Sequence, residues 1–133
     1  MHKTLPFLFA LAAASAGAAP PAALLQDYVA EARRTDPAFT PAASRGEAFF
    51  RQERTTESGR VACAGCHTDD PRKEGQTRAH KAISPLAPAA NPERLTDAAK
   101  AEKWFGRNCK DVVGRACTAA EKADFAAWLI SIR

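Results

Sequence analysis

Residues 60–70 read RVACAGCHTDD and enclose the pentad Cys63-Ala64-Gly65-Cys66-His67. Two thiols two residues apart, followed at once by an imidazole, have the arrangement of a covalent haem anchor. Each thiol adds across one vinyl group and the next side chain brings a nitrogen to the iron, so the histidine follows without a gap. Three other readings use the same residues. A thioredoxin-like redox pair needs a strand-helix-strand setting, and no run in this chain alternates like a strand. A zinc site would join Cys63, Cys66 and His67 to a later cysteine, but Cys109 and Cys117 lack the usual knuckle spacing. A disulfide between Cys63 and Cys66 leaves His67 without a purpose. The pentad is therefore read as the attachment point of one haem c, bonded through Cys63 and Cys66 with His67 on the iron.

Upstream, residues 1–18 read MHKTLPFLFALAAASAGA. A basic start at Lys3, an apolar stretch from Leu5 to Ala14 and the small residues Ala16-Gly17-Ala18 form the layout of a secretory signal cut after Ala18. The apolar part is too short to span a bilayer, and no other segment is apolar enough, so the mature chain is expected to have no membrane span. Residues 19–133 then form one domain in an oxidising periplasm, where disulfides persist. Removing Lys3 with the leader lowers the formal charge from +4 to +3. That excess argues weakly for an acidic partner and is too small to suggest nucleic acid.

Beyond the pentad the periodicity is helical. Leu24, Leu25, Tyr28, Val29 and Ala32 recur at helix spacing until Asp36-Pro37. Ser44-Arg45-Gly46-Glu47 has the form of a capping box and opens a second helix, with Gly46 and Phe50 on one face where another helix can cross closely. The polar segment RQERTTESGR (51–60) reads as a loop, and Thr68–Pro92 as an ordered wrap with short turns. Thr96 or Asp97 caps a third helix running to Phe105, with Gly106 as its stop. Thr118-Ala119-Ala120-Glu121 is a second capping box, followed by Phe125, Trp128, Leu129 and Ile132 at i, i+3, i+4, i+7. The expected fold is all-α and of class I cytochrome c type, with about four to five helices around one haem.

The second face of the iron is a problem of elimination. The only methionine is Met1, which leaves with the leader, and the histidines that remain are His67 and His80. His80, a lysine, a neutral oxygen or nitrogen donor, or an open position all remain as candidates.

Here the chain resembles a known family. KWFGRNCKDVVGRACTAAEKADF (103–125), with ISPLAPAANPERLTD (83–97) and the pentad, is similar to the sphaeroides haem proteins, monohaem cytochromes c related to the methylotroph cytochrome c-double-prime. The likeness runs from about Phe39 to the C-terminus. It implies that Asn108 takes the sixth position through its side chain and that Cys109 and Cys117 form a disulfide. It also implies electron transfer with a dihaem cytochrome c as donor. A carboxamide is a neutral, hard donor that suits ferric better than ferrous iron. Reduction is therefore expected to loosen Asn108 and open the site to oxygen, nitric oxide or carbon monoxide. Reduction of oxygen or nitric oxide would be an enzymatic extension of that role. Two rivals stand beside it, a closed electron carrier ligated by His67 and His80 and a zinc- or disulfide-built module without redox chemistry.

Around the iron, the Pro85 carbonyl is expected to accept from the His67 ring. Trp104, Lys81 and Arg94 are candidates for a propionate, and Ile83, Leu86 and Phe105 for haem-contacting core. Lys100, Lys103, Arg107 and Lys110 recur near helical spacing as a basic patch.

Overall fold

The computed structural model describes residues 19–57 and 59–133, so the leader lies outside the described residues. Helix α1 (Pro21–Ala32) begins on a proline, which gives up no helical hydrogen bond at that position, and buries Leu24, Tyr28, Val29 and Ala32. That is the stripe read from the sequence. Helix α2 (Ala43–Arg51) follows, then the antiparallel pair β1 (Arg54–Thr56) and β2 (Gly59–Val61). A single helical turn, α3 (Ala64–His67), carries the pentad. The wrap holds a second small antiparallel pair, β3 (Gly75–Gln76) and β4 (Ala82–Ile83). Helices α4 (Ala98–Val113) and α5 (Ala119–Ser131) complete the chain. The five helices among the described residues match the expected count, and none is long and apolar enough to cross a membrane.

Helix α5 is the centre of the frame. Its Ala123 and Ala126 join Leu24, Tyr28, Val29, Ala32 and Phe39 in one buried cluster, while Trp128 and Leu129 close around Phe50 in a second. The Phe50 and Trp128 rings lie 4.8 Å apart. Helix α2 can approach α5 because Gly46 faces it without a side chain: a Cβ there would strike the Asp124 carbonyl and sit 2.9 Å from the Phe125 Cα. The Thr118–Glu121 capping box forms as read, with Arg115 adding a 2.7 Å ion pair to Glu121.

Three local readings need correction. Ser44 and Glu47 form no capping box: α2 starts at Ala43, and Glu47 pairs with Arg51 one turn on. The N-terminus of α2 is instead held from another element. Asp124 accepts from the Ala42 N–H at 2.7 Å and binds Arg45 in two-pronged fashion at 2.7 and 2.8 Å. Gly106 does not stop α4; it lies on the exposed side of the helix, where a glycine costs only about 1 kcal/mol relative to alanine. The stop is Gly114, left-handed at φ 77°. Segment 51–60 is a hairpin rather than a plain loop, steadied by an Arg60–Glu53 ion pair across it.

The Gly46 crossing makes a direct prediction. Gly46→Ala places a methyl against backbone that cannot turn aside, so denaturant unfolding should show a loss of about 1–3 kcal/mol. An unchanged midpoint would mean that the two helices separate there without cost.

Candidate functional site

In α3 the Cys63 carbonyl accepts from the Cys66 and His67 amides at 3.2 and 3.1 Å, which closes one helical turn. Residues at i, i+3 and i+4 of such a turn share a face, so both thiols and the imidazole are presented on one side. Both cysteines are half-buried and unpaired. Cys63 packs with Ala64 and Leu86 against Phe50, Trp128 and Leu129, which ties the anchor to the frame.

Two features fix the anchor from behind. Gly75 lies flat on it, and a Cβ there would strike the Cys66 carbonyl and sit 2.9 Å from the His67 Cα. Thr68 then turns the chain away at φ 61° and ψ 170°, a region that costs a β-branched residue about 1–3 kcal/mol. Its hydroxyl donates to the Asp70 carbonyl at 2.9 Å. Burial, with the Arg94 charge adding to it, pushes the His67 imidazole down to about 4. The ring is neutral at pH 7, the form that has a lone pair to give a metal.

The Pro85 carbonyl does not serve His67 as expected. Its two lone pairs are taken by Arg94 Nε at 2.8 Å and Asn91 Nδ2 at 3.2 Å, and Arg94 Nη2 reaches the Ser84 carbonyl at 2.7 Å. Arg94 is half-buried, and among the described residues it meets carbonyls and no carboxylate. An anionic group such as a propionate fits that guanidinium. Lys81 is exposed on the hairpin, whereas Trp104 is 40% exposed on α4.

Helix α4 carries Asn108. Ala101, Phe105, Asn108, Cys109 and Val112 are its less exposed positions and follow helical spacing, so they form its inward face. Phe105 stands edge-on to Tyr28 at 5.8 Å and to Phe125 at 5.6 Å. Asn108 lies one turn further on, half-buried, within the helix rather than beyond its end. Its carboxamide makes no hydrogen bond with any described residue. Immediately after it, Cys109 is bonded to Cys117 with their Cα atoms 5.7 Å apart, so the pairing implied by the resemblance is present.

His80 sits elsewhere. It occupies the turn of the β3–β4 hairpin, exposed, at φ 59°, with its ring 3.4 Å from the Gln76 side chain. The zinc reading loses its donors, because Cys109 and Cys117 bond each other. Among the described residues no three of His, Cys, Asp and Glu converge as a metal site.

The donor set therefore suits haem iron. Two free thiols and a neutral imidazole share one face, while the apolar Ile83, Leu86, Leu95, Phe105, Val112 and Val113 remain half-exposed for a flat hydrophobic group to cover. Fold and site together define a c-type cytochrome of class I, all-α type. Residues 37–129 match the family model described as "Domain of unknown function (DUF1924)". The chain is 48% identical over 117 residues to the Cytochrome c-type protein SHP of Cereibacter sphaeroides, covering 87% of each. It is 38% identical over 111 residues to Cytochrome c'' of Methylophilus methylotrophus, covering 81% of this chain and 77% of that one. Among solved structures, that described as "oxidized SHP, an oxygen binding cytochrome c" superposes with TM-score 0.78 at 44% identity, over 87% of this chain and 100% of that one. Oxidised cytochrome c'' from Methylophilus methylotrophus does so with TM-score 0.78 at 36% identity, over 85% and 94%. This chain belongs to the sphaeroides haem protein family, the group joining these two cytochromes.

Several site features escaped the sequence reading. Asp124 could have been suspected as a carboxylate inside an apolar helix face. Gly75 gave only a loop signal, and nothing in the sequence marks the Thr68 backbone.

The disulfide closes a loop of nine residues, worth roughly 2.5 kcal/mol on the chain-entropy account. Replacing Cys109 and Cys117 together by serine should lower unfolding stability by about that amount. A double variant as stable as the parent would show that the cross-link constrains little.

Proposed function

We propose that this protein is an exported, periplasmic monohaem cytochrome c that transfers electrons and opens a distal site on reduction to bind a diatomic gas. The group would be held covalently by Cys63 and Cys66, with His67 on one side of the iron and Asn108 on the other. Bound there, haem supplies an iron that takes up or gives up one electron and has a position for a gas molecule.

The chain's own residues do the rest. The α3 turn, backed by Gly75, presents the His67 nitrogen rigidly, and burial keeps it unprotonated. Asn108 would offer a carboxamide oxygen, a hard neutral donor that suits ferric better than ferrous iron, so its hold would weaken on reduction. Once released, its NH₂ group is available to donate a hydrogen bond to oxygen, nitric oxide or carbon monoxide. Arg94 would meet a propionate with the N–H groups that Ser84 and Pro85 leave over. Electrons arrive from another cytochrome, for which a dihaem cytochrome c is the candidate. Residues 1–18 act as the export signal.

The observation that carries this reading is the place of Asn108 on the inward face of α4, half-buried, with its amide unclaimed by any described residue. The relative whose structure is described as an oxygen-binding cytochrome c supports the gas site. The structure described as giving insights into haem-ligand detachment, that of cytochrome c'', supports a releasable ligand. The closed reading with His80 is disfavoured by that residue's exposed turn and its contact with Gln76.

The expected outcome is a pyridine haemochrome of one haem c per chain in the exported protein. Asn108→Ala should alter the ferric optical and EPR spectra, and His80→Ala should leave them as they are. Carbon monoxide should bind the reduced parent rapidly. If only the His80 substitution changes the ferric spin state, Asn108 is not the ligand.

A further inference from the structure

Trp104 is the one exposed large hydrophobic side chain among the described residues. It lies on α4 four residues before Asn108, hence beside it on the same side of the helix. Cations surround its ring: Lys103 Nζ is 5.7 Å from the ring centre and Arg107 Cζ is 6.0 Å from it, both within reach of a cation–π attraction. Lys100 and Lys110 extend the charge along the helix, and all four cations are exposed. Among the described residues none of the four joins an ion pair. Elsewhere Arg34, Arg51, Arg60, Arg72 and Arg115 are each neutralised by a carboxylate. The two carboxylates on α4 do not cancel the patch, because Glu102 is taken by Lys122 at 2.7 Å and only Asp111 remains.

An exposed indole ringed by free cations has the composition of a protein docking surface, where Trp and Arg concentrate binding energy and charge sets the approach. We propose that this face of α4 docks an acidic redox protein and admits its electron beside Trp104. The proposal rests on the placing of haem and Asn108 given above. The acidic partner gives up one electron, the oxidised iron takes it, and no bond to the partner forms or breaks. Lys100, Lys103, Arg107 and Lys110 steer the approach, and Trp104 supplies the apolar contact that closes it.

The experiment follows reduction of the exported holoprotein by stopped flow, with a reduced acidic flavodoxin as the probe and photoreduced neutral lumiflavin as its uncharged counterpart. The flavodoxin rate should fall steeply as salt rises. The pair Lys103→Glu with Arg107→Glu should slow it about tenfold at low salt, while lumiflavin rates stay within about twofold. Trp104→Ala should slow the flavodoxin reaction at low and high salt alike. The pair Lys73→Glu with Arg78→Glu makes the same change of charge on the β3–β4 side and should leave the rate within about twofold. Equal slowing by both pairs, or a rate indifferent to salt, overturns the proposal. So does loss of binding to phosphatidylserine vesicles in the Lys103/Arg107 pair with its flavodoxin rate unmoved. Failure of the Asn108 assignment would appear separately, in the ferric spectrum of Asn108→Ala, which no charge reversal should disturb.

Discussion

The frame depends on one close crossing, where α2 lies against the backbone of Asp124 and Phe125 with nothing but the Gly46 Cα between them. The approach brings the Asp124 carboxylate within reach of the Ala42 N–H and the Arg45 guanidinium, so packing and helix capping are settled at the same point. A carboxylate only 7% exposed would be costly if left alone; three charge-assisted hydrogen bonds offset that cost. With α2 and α5 locked, Phe50 falls on Trp128 and Leu129, and that cluster is what the anchor turn packs against through Cys63 and Ala64.

The two elements that carry His67 and Asn108 are built to different standards. The His67 turn is over-determined, by its own helical hydrogen bonds, by a glycine pressed on its backbone and by a threonine held at positive φ directly after it. Helix α4 offers a single amide with no supporting hydrogen bond among the described residues. Strength on one side and weakness on the other is a division that suits a centre with one permanent and one exchangeable position.

Signals confined to a few neighbouring residues were legible in the sequence. The Thr118–Glu121 box, the α1 stripe and the Gly46–Phe50 pair each carry their physics within one or two helical turns, and each forms as read, while the Cys63–His67 pentad folds as one helical turn. The misreadings occur where the deciding partner is distant in the chain. Ser44 and Glu47 look like a cap, but Asp124, about eighty residues on, holds that helix end. Gly106 has the composition of a terminator, yet Phe105 packs on Tyr28 and Phe125, Cys109 is buried beyond it, and the helix runs on to Gly114. Pro85 was a sensible acceptor for His67 until Arg94 and Asn91 filled its lone pairs. The short strand pairs gave no alternating signal because two or three residues are too few to show a period. Asn108 itself was reached through family likeness, since composition alone left several donors open.

Helix α4 is fastened at both ends. Asp97 caps its start just after Leu95, which packs against both core clusters, and the Cys109–Cys117 bond secures its far end to the chain entering α5. Between those fastenings Phe105 is wedged edge-on between two other rings. A beam clamped in this way has no hinge at Asn108, so motion there is confined to two torsions of a short side chain. Under the ligation proposed for Asn108, exchange at that position would ask for little rearrangement of the surrounding polypeptide, and the reorganisation accompanying each electron would be small.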